Sequence, residues 1–403
     1  MPPPHRTPSS PVIVVGGGVG GVATALALGR QGRAVTLLEQ ADQIGAIGYG
    51  VQLGPNVLPM LQQLGLAEAA LAKAYLPTDI TWYDLNTAQS LAHIPLQTEA
   101  FAARYAGSRY LAIHRVDLHE LLLAACERLP NIQFNQSTTV TGYQQNDAGV
   151  QVSLEGGATL DACAVVVADG LRSRLRAQMH PSDTPQDTGY VAHRTIVPMA
   201  DAPELARQRT GVTMWSGPGF HVIYYPLRAR SELNIVVVNR IPPGLADDAA
   251  GYRAQMDRIM DGAQPEPREV IARVNLDRRW TIADRQPLRR WAEGRVTLLG
   301  DSAHATLQSL AQGAGMAIED AVTLATLLER NGGDYAVAFQ KLQRARFLRT
   351  ARVQLESRAL WETYHCEDVH AEVRAWEWGA RRPEDFYRCL DWLWQPVSVA
   401  DLT

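Results

Sequence analysis

Glycines and acids recur at the ends of three apolar runs. In the first, Gly16, Gly18 and Gly21 form a G-x-G-x-x-G pattern between the run VIVV and an alanine- and leucine-rich helix. Such glycines allow a tight turn, a close backbone approach to a pyrophosphate, and close packing of helix on strand. The helix N-terminus adds unpaired N–H groups for the anion. Glu39 follows a second apolar run, where a carboxylate can accept both hydroxyls of a ribose.

Two later segments repeat the arrangement of apolar run and acid. Asp169 and Gly170 follow AVVV, and Gly300 and Asp301 follow VTLL. Either aspartate alone could be a helix cap, since aspartate is a good N-cap residue. The carboxyl ends of parallel strands, however, meet at one edge of a sheet, where ligands bind. Three such loops therefore predict a long dinucleotide held along that edge.

The segment FHVIYY, residues 220–225, offers a different chemistry. Alternate residues of a strand share a face, so His221, Ile223 and Tyr225 point the same way, with roughly 13 Å of backbone between the first and the last. An imidazole and a phenol so placed could bind a benzenoid ring between them. They could equally be hydrogen-bonded core residues, because buried histidine and tyrosine are common in cores.

Two groups of elements must position these residues. The buried strands and helices of a Rossmann-like α/β domain, which would hold the dinucleotide, fall in three stretches: 11–78, 108–186 and 280–330. Alternating strands separated by glycine, proline and charged turns fall in two stretches, 79–107 and 187–279. The chain is therefore expected to have an α/β fold in which an antiparallel sheet, the candidate substrate domain, is inserted.

The two ends of the chain differ from the rest. Residues 1–10, MPPPHRTPSS, lack an apolar core and predict a disordered leader. Residues 331–403 predict a helical C-terminal segment, which from Trp361 onward holds five of the nine tryptophans. This much indole favours packing on the body of the protein or on a second subunit, so a homodimer is a candidate assembly.

Composition narrows the function classes. The 403 residues carry a formal net charge of −4 and a pI of about 6.2, which gives no electrostatic case for nucleic acid or an anionic membrane. No apolar run is long enough to span a bilayer. The four cysteines are scattered and predict reduced thiols in the cytoplasm. His365 and His370 are five apart on a presumed helix and do not share a face, so no metal site is predicted.

A family resemblance joins these segments. GGGVGG with Glu39, VVVADGLRSRLR, and LLGDSAHATLQSLAQGAGMAIEDA occur in this order and resemble the three signatures of the single-component FAD-dependent aromatic hydroxylases, the group A flavoprotein monooxygenases. The resemblance implies bound FAD, NADH rather than NADPH as a transient reductant, and no separate nicotinamide domain. It also implies that O2 adds to the reduced flavin at C4a and that a small aromatic acid is hydroxylated.

The resemblance also implies a set of cofactor contacts at the positions that match the family's motifs. They run from the adenosine to the pyrimidine: Glu39 at the ribose; Gly16, Gly18, Gly21 and Asp169 at the pyrophosphate; Arg115 at the phosphate and ribityl region; Asp301 at the ribityl chain; and Ala314, in the helix after Gln312, at the pyrimidine. The N-terminus of that helix would favour the anionic reduced ring.

Within the family, HVIYYPL and the terminal YRCLDWLW resemble the hydroxylases that convert 3-hydroxybenzoate to gentisate. This implies that His221 and Tyr225 contact the substrate, with His221 as the base for the phenol. Gln308 would bind the ring substituents, and Tyr110 is a further candidate for the pocket.

Several positions depart from the family pattern. Gln308 stands where many relatives have proline, Ala311 replaces a glycine, and His193 and Thr195 replace tryptophan and glycine around Arg194. A salicylate or 6-hydroxynicotinate hydroxylase, a non-hydroxylating FAD oxidoreductase and an NAD-dependent dehydrogenase stay open as alternatives.

Overall fold

The computed structural model describes residues 10–43, 48–146, 149–242 and 249–397. The predicted leader therefore lies outside the described residues, apart from Ser10. Within these ranges the chain forms strands that we number in chain order: β1 (Val12–Val15), β2 (Val35–Leu38), β3 (Gly50–Leu53), β4 (Asp79–Asp84), β5 (Ser90–Pro95), β6 (Leu111–His114), β7 (Ile132–Asn135), β8 (Val140–Asn146), β9 (Gly149–Leu154), β10 (Thr159–Ala162), β11 (Ala164–Val167), β12 (Gln186–Pro198), β13 (Val212–Gly217), β14 (Phe220–Leu227), β15 (Glu232–Arg240), β16 (Trp280–Asp284), β17 (Ala292–Glu293) and β18 (Val296–Leu298).

The α-helices in the same ranges are numbered likewise: α1 (Val19–Arg30), α2 (Leu58–Gln63), α3 (Ala67–Lys73), α4 (Glu99–Arg104), α5 (Arg115–Glu127), α6 (Arg174–Met179), α7 (Glu204–Gln208), α8 (Ala249–Asp261), α9 (Pro265–Ile271), α10 (Asp301–His304), α11 (Gly313–Arg330), α12 (Tyr335–His365), α13 (Asp368–Gly379) and α14 (Pro383–Trp394). None of these helices is long and apolar enough to cross a membrane.

A six-stranded sheet forms the first layer, in the order β17-β18-β11-β1-β2-β7. All its pairs are parallel except β17 with β18. Val15 aligns with Val167 and with Leu38, and Val167 aligns with Leu298, so these four strands end together. Their carboxyl ends therefore bring the three predicted glycine-and-acid loops to one edge.

A seven-stranded sheet forms the second large unit, in the order β16-β12-β15-β14-β13-β4-β5. Its strands come from two separate stretches of the chain, and all pairs are antiparallel except β4 with β13. The α/β class with an inserted second sheet and a helical C-terminal segment is thereby confirmed. The parallel pair was not expected, because β4 and β13 are brought together from distant parts of the sequence.

The C-terminal helices pack on the body of the protein. Trp394 is 3% exposed and meets the ring of Tyr105 edge-on at 5.6 Å, and Trp361 is 2% exposed. Trp376, by contrast, is 78% exposed. Helix α12 ends at His365, and α13 begins three residues later at Asp368, whose φ is +52°. The single helix presumed to carry His365 and His370 is therefore two helices.

A buried cluster of charges joins α11 to α12. Asp320 accepts a hydrogen bond from Arg346 at 2.7 Å, and the same guanidinium lies 2.7 Å from Glu319. Asp320 also lies 2.6 Å from the His304 ring nitrogen Nε2 and accepts from the Gly300 N–H at 3.1 Å. Burial alone would raise the pKa of Asp320, but His304 and Arg346 lower it to about 2. The carboxylate thus stays ionised and ties the loop after β18 to both helices.

We expect Arg346→Met to lower the free energy of unfolding by about 3–5 kcal/mol, because removing one partner leaves buried charges uncompensated. The matched control is Arg253→Met, which breaks the exposed ion pair with Asp277 and should cause no measurable loss. Urea unfolding of the FAD-loaded protein measures both. Equal stability of the two variants would contradict the role given to the cluster.

Candidate active site

A cavity of about 910 Å³ opens at the shared edge of the six-stranded sheet. One part is lined by the loops that follow β1, β2, β11 and β18, and the other by side chains from β12 to β16 of the seven-stranded sheet. Nearly all the site residues predicted from the sequence line this single cavity. Gly21 and Tyr110 are the two that do not.

The glycine turn is built as its spacing predicts. Gly16 has φ of +105°, a conformation that favours glycine, and a Cβ there would overlap the carbonyl of Ala168. A Cβ on Gly21 would overlap the carbonyl oxygen of Gly16. A Cβ on Gly18 would meet nothing within 4 Å, although Gly18 lines the cavity. Gly16 and Gly21 therefore serve the packing of the turn, whereas the space beside Gly18 is left for a ligand.

Glu39 lines the cavity directly after β2. Its carboxylate accepts hydrogen bonds from the backbone N–H of Gly17 at 2.6 Å and of Ala41 at 2.8 Å. These two bonds hold the side chain at the end of β2. Each carboxylate oxygen keeps further lone pairs, so Glu39 can still accept hydroxyl groups.

Asp169 and Asp301 lie where the next two strands end. Asp169 accepts from the backbone N–H of Arg174 at 3.1 Å, while its Oδ1 has no hydrogen-bond partner among the described residues. Asp301 begins α10 and lines the same cavity. Loss of contact with water raises the pKa of both carboxyls, because it disfavours the charged form. The structure therefore places two acids with unused hydrogen-bonding capacity on the cavity wall.

Helix N-termini face the cavity at two points. Gln312, Gly313 and Ala314 begin α11 and line it, as do the first residues of α1, and neither helix has a side-chain cap. Their first N–H groups are thus available to an anionic or polar ligand. Arg115, at the start of α5, lines the cavity too. Ala311, just before α11, has φ of +52°, a strained conformation for alanine that the replaced glycine would adopt freely.

The side chains from β14 occupy the other end. His221, Ile223 and Tyr225 line the cavity, whereas Phe220, Val222 and Tyr224 are buried in the core behind the sheet. The alternation predicted for this strand is therefore present. His221 is 3% exposed, and its Nδ1 lies 2.8 Å from Nε2 of His365.

Burial sets the protonation of these groups. It lowers the pKa of His221 to about 3, so its imidazole is neutral near pH 7. Burial also raises the pKa of the Tyr225 phenol, which keeps its proton. The pKa of His221 therefore lies well below the ordinary histidine value of about 6.5. A neutral imidazole has one N–H donor and one acceptor nitrogen, and a neutral phenol can donate its hydroxyl hydrogen.

Gln308 also lines the cavity. Its Oε1 accepts a hydrogen bond from the Arg194 guanidinium at 2.7 Å, which leaves the amide N–H groups to donate to a ligand. His193 and Thr195 point away from Arg194 because neighbouring residues of a strand face opposite sides. His193 is fully buried and bonds the Tyr252 hydroxyl behind the sheet. The unusual residues at 193 and 195 are therefore not in the cavity wall.

Other lining residues were missed by sequence reasoning. Gln52, on β3, accepts a hydrogen bond from the Tyr110 hydroxyl at 2.7 Å, so Tyr110 lies behind Gln52. Met214, Trp280 and Tyr364 also line the cavity. Alternation along β3 and β13 could have found Gln52 and Met214, but no short sequence motif marks them. Among the described residues, no group of three His, Cys, Asp or Glu side chains could hold a metal ion.

Comparison with known proteins shows which family has a site of this kind. The family model described as "FAD binding domain" matches residues 9–333. A 3-hydroxybenzoate 6-hydroxylase of Polaromonas naphthalenivorans is 39% identical over 95% of both chains. The chain belongs to the FAD-dependent aromatic hydroxylases. It is an FAD-dependent aromatic monooxygenase, as the resemblance of its motifs predicted.

Two further proteins are similar over nearly the whole chain. A 3-hydroxybenzoate 6-hydroxylase of Klebsiella oxytoca is 38% identical and covers 95% of this chain and 96% of its own. The crystal structure of Klebsiella pneumoniae HpxO, complexed with FAD and uric acid, is 26% identical, with a TM-score of 0.85 over 96% of this chain and 98% of that one. The predicted FAD cofactor fits the site found here: open space at Gly18, two uncapped helix N-termini and an unpaired carboxylate oxygen on Asp169.

Gly18→Ala should separate cofactor binding from folding. Gly18 has φ of −72°, which alanine adopts without strain, and the added methyl meets no protein atom. We expect the free energy of unfolding of the FAD-free protein to change by less than about 0.5 kcal/mol. The dissociation constant for FAD should rise about tenfold or more, since the methyl occupies the space where the pyrophosphate approaches.

Gly21→Ala is the contrasting variant, because its methyl overlaps the Gly16 carbonyl and should destabilise the FAD-free protein itself. Thermal unfolding and titration with FAD distinguish the two effects. Normal FAD affinity in Gly18→Ala would contradict the placement of the cofactor at this turn.

Proposed function

We propose that this protein hydroxylates 3-hydroxybenzoate at C6 to form gentisate, with NADH as the reductant of its FAD. The observation that carries the proposal is that His221 and Tyr225 line the same cavity as the FAD-binding loops. The names of the two relatives, 39% and 38% identical, support this substrate. In this proposal the cavity holds the flavin along the strand ends and a phenolic acid against β14.

His221 would act as the base for the phenol. A phenolate formed beside the imidazole is an opposite charge, which would raise the low pKa that burial alone gives this ring. Its Nδ1 contacts His365, so Nε2 is the atom left to accept the substrate's proton. Tyr225 would donate to an oxygen of the ligand, and Gln52 and Tyr110 would hold the Tyr225 side of the pocket by their hydrogen bonds. The amide N–H groups of Gln308, oriented by Arg194, would donate to the carboxylate.

Ionising the hydroxyl directs the oxidation. A phenolate is electron-rich at the positions ortho and para to its oxygen, and in 3-hydroxybenzoate C6 is para to the hydroxyl at C3. The choice among these carbons then depends on which one the pocket holds nearest the flavin. FAD, when bound, supplies the redox chemistry, including reaction with O2. The protein orients the ring, accepts the proton and keeps water away.

The remaining expectations belong to the same proposal. They are the domain boundaries given above, a cytoplasmic location and a homodimer through the tryptophan-rich C-terminal segment. One boundary moves: Trp280–Asp284, expected in the FAD-binding stretch 280–330, pairs with β12 and belongs to the seven-stranded sheet. The four cysteines are all free, which suits a reducing compartment. The exposed indole of Trp376 would be one contact of such a dimer.

A panel of aromatic acids tests the function directly. NADH oxidation would be followed with 3-hydroxybenzoate, salicylate, 6-hydroxynicotinate and benzoate, and products identified by mass spectrometry and chromatography. We expect gentisate from 3-hydroxybenzoate in proportion to NADH consumed, and no product from benzoate, which lacks the hydroxyl group. NADH oxidation without hydroxylated product from any of the four would contradict the proposal.

His221→Ala should bind FAD normally and lose hydroxylation by about 100-fold or more, the usual contribution of a general base. The control is Tyr143→Phe, in the β8–β10 sheet away from the cavity, which should hydroxylate at the wild-type rate. Hydroxylation at the wild-type rate by His221→Ala at neutral pH would rule out its role as base.

The lowered pKa of His221 also predicts a pH profile. A group with a folded-state pKa of about 3 stays unprotonated as the pH falls through 6.5. Because kcat/KM reports the groups of the free enzyme, its profile should show no acid limb near pH 6.5. An acid limb with an apparent pKa near 6.5 that disappears in His221→Gln would contradict this account.

A further inference from the structure

A histidine behind the glycine turn binds one of the turn's carbonyl oxygens. Nε2 of His119, on α5, lies 2.6 Å from the carbonyl oxygen of Gly17. His119 is 3% exposed and does not line the cavity. A carbonyl oxygen can only accept a hydrogen bond, so Nε2 carries the hydrogen and donates it. His119 therefore contacts the turn from the side away from the cavity.

One face of α5 carries this contact. Arg115, the first residue of the helix, lines the cavity, and His119 follows it by four residues, about one turn. Leu122 and Cys126 continue the same face and are buried. The Cys126 thiol donates to the carbonyl oxygen of Val22, on α1, at 3.6 Å. Helix α5 thus packs against α1, the helix that follows the glycine turn, and this packing places the His119 side chain beside the turn.

The peptide that joins Gly17 to Gly18 has a defined direction as a result. It is trans, since none of the described peptide bonds is cis, and so its C=O and N–H groups point in opposite directions. His119 binds the C=O group. The N–H of Gly18 therefore points to the other side, where Gly18 lines the cavity. Among the described residues, no group accepts a hydrogen bond from this N–H.

Glycine on both sides leaves this peptide free to rotate. Neither Gly17 nor Gly18 has a Cβ, so the peptide can turn until its C=O and N–H groups exchange places at little steric cost. The carbonyl oxygen would then face the cavity and repel a phosphate oxygen. Glu39 accepts from the N–H of Gly17, which belongs to the preceding peptide. Of the two described side chains that bond Gly17, only His119 acts on the peptide that leads to Gly18.

We propose that His119 is a positioning residue for FAD, which holds the Gly17–Gly18 peptide with its N–H towards the cavity before the cofactor binds. The pyrophosphate would then meet a hydrogen-bond donor and not a carbonyl oxygen. This role concerns the cofactor and does not depend on which aromatic acid is the substrate. Burial lowers the pKa of His119, so its ring is neutral near pH 7 and Nε2–H is its single donor. A donor oriented in advance spares FAD the cost of turning the peptide.

Loss of the His119 donor should act on the association of FAD. A flipped peptide lowers the fraction of FAD-free molecules that are ready to bind, and the apparent dissociation constant rises by the same factor. The peptide must turn back before FAD can bind, so the association rate constant falls. Dissociation starts from the same bound arrangement as in wild type, so its rate constant changes little. A lost contact in the bound state would instead speed dissociation.

The release of FAD from the loaded, full-length protein tests this role. The protein would be diluted stepwise and the released FAD followed by its fluorescence. The final levels give the dissociation constant, the rates give the dissociation rate constant, and the two together give the association rate constant. The variant is His119→Phe, which keeps an aromatic ring without a donor. His119→Gln restores a donor, because the glutamine amide nitrogen can lie near the place of Nε2.

The matched control is His180→Phe. Nε2 of His180 likewise lies 2.8 Å from a backbone carbonyl oxygen, that of Arg290, and His180 does not line the cavity. The control therefore removes the same kind of hydrogen bond at a place away from the glycine turn. It should leave both the affinity for FAD and the two rate constants unchanged.

We expect His119→Phe to raise the dissociation constant for FAD about tenfold or more, with the dissociation rate constant within about twofold of wild type. His119→Gln should stay within about threefold of wild type, because it keeps the donor. Unchanged affinity in His119→Phe would overturn the proposal, and so would a loss of affinity caused by faster dissociation alone. An equal loss in the Phe and Gln variants would also overturn it, since packing of the ring and not the donor would then matter.

A second substitution covers the case in which His119→Phe does not fold. His119→Asn keeps a polar side chain, but its amide nitrogen lies closer to the helix backbone and does not reach the Gly17 carbonyl. We expect His119→Asn to lose affinity for FAD about tenfold or more, through slower association, while His119→Gln keeps it. Equal affinities of the Asn and Gln variants would overturn the proposal.

Discussion

The buried ion pair between Asp320 and Arg346 connects the two ends of the cavity. Asp320 holds the N–H of Gly300 and the ring of His304, and so fixes the loop that follows β18. Arg346 belongs to α12, which runs on for another 19 residues, about 29 Å, to His365. One buried carboxylate thereby joins the loop after β18 to the helix that ends against His221. The charges are stable there because each is compensated by its neighbours.

This connection explains how two sheets form one site. The six-stranded sheet supplies strand ends, glycine turns and helix N-termini, which suit phosphates and polar heteroatoms. The seven-stranded sheet supplies His221 and Tyr225, which suit a neutral or ionised phenol. The α12 helix crosses from one to the other and contributes Tyr364 to the cavity wall and His365 behind it.

Features that depend on a short stretch of sequence were predictable. The strand ends converge because the buried runs at residues 12–15, 164–167 and 296–298 form parallel strands of one sheet, as short continuous apolar runs are expected to do. His221 and Tyr225 share a face because alternate residues of a strand do. The roles of Gly16 and Gly21 follow from the crowding of a tight turn, which any G-x-G-x-x-G segment must solve.

Features that depend on distant residues were not predictable. The contact of His221 with His365 joins positions 144 residues apart, and sequence reasoning considered His365 only as a metal ligand. The pKa of His221 depends on burial, which the sequence does not reveal for a single side chain. Gln52 contacts Tyr110 through a pairing of β3 with β6, and no motif marks either residue. The family resemblance supplied candidates at these places without their partners.

The central claim is that FAD and a phenolic acid share this cavity with the phenol directed at His221. A crystal structure of the protein with FAD and 3-hydroxybenzoate tests it most directly. The account predicts the phenol oxygen within hydrogen-bond distance of His221 Nε2, about 2.6–3.2 Å, and the carboxylate near Gln308. A substrate bound with its hydroxyl turned away from His221, or outside the cavity, would contradict it.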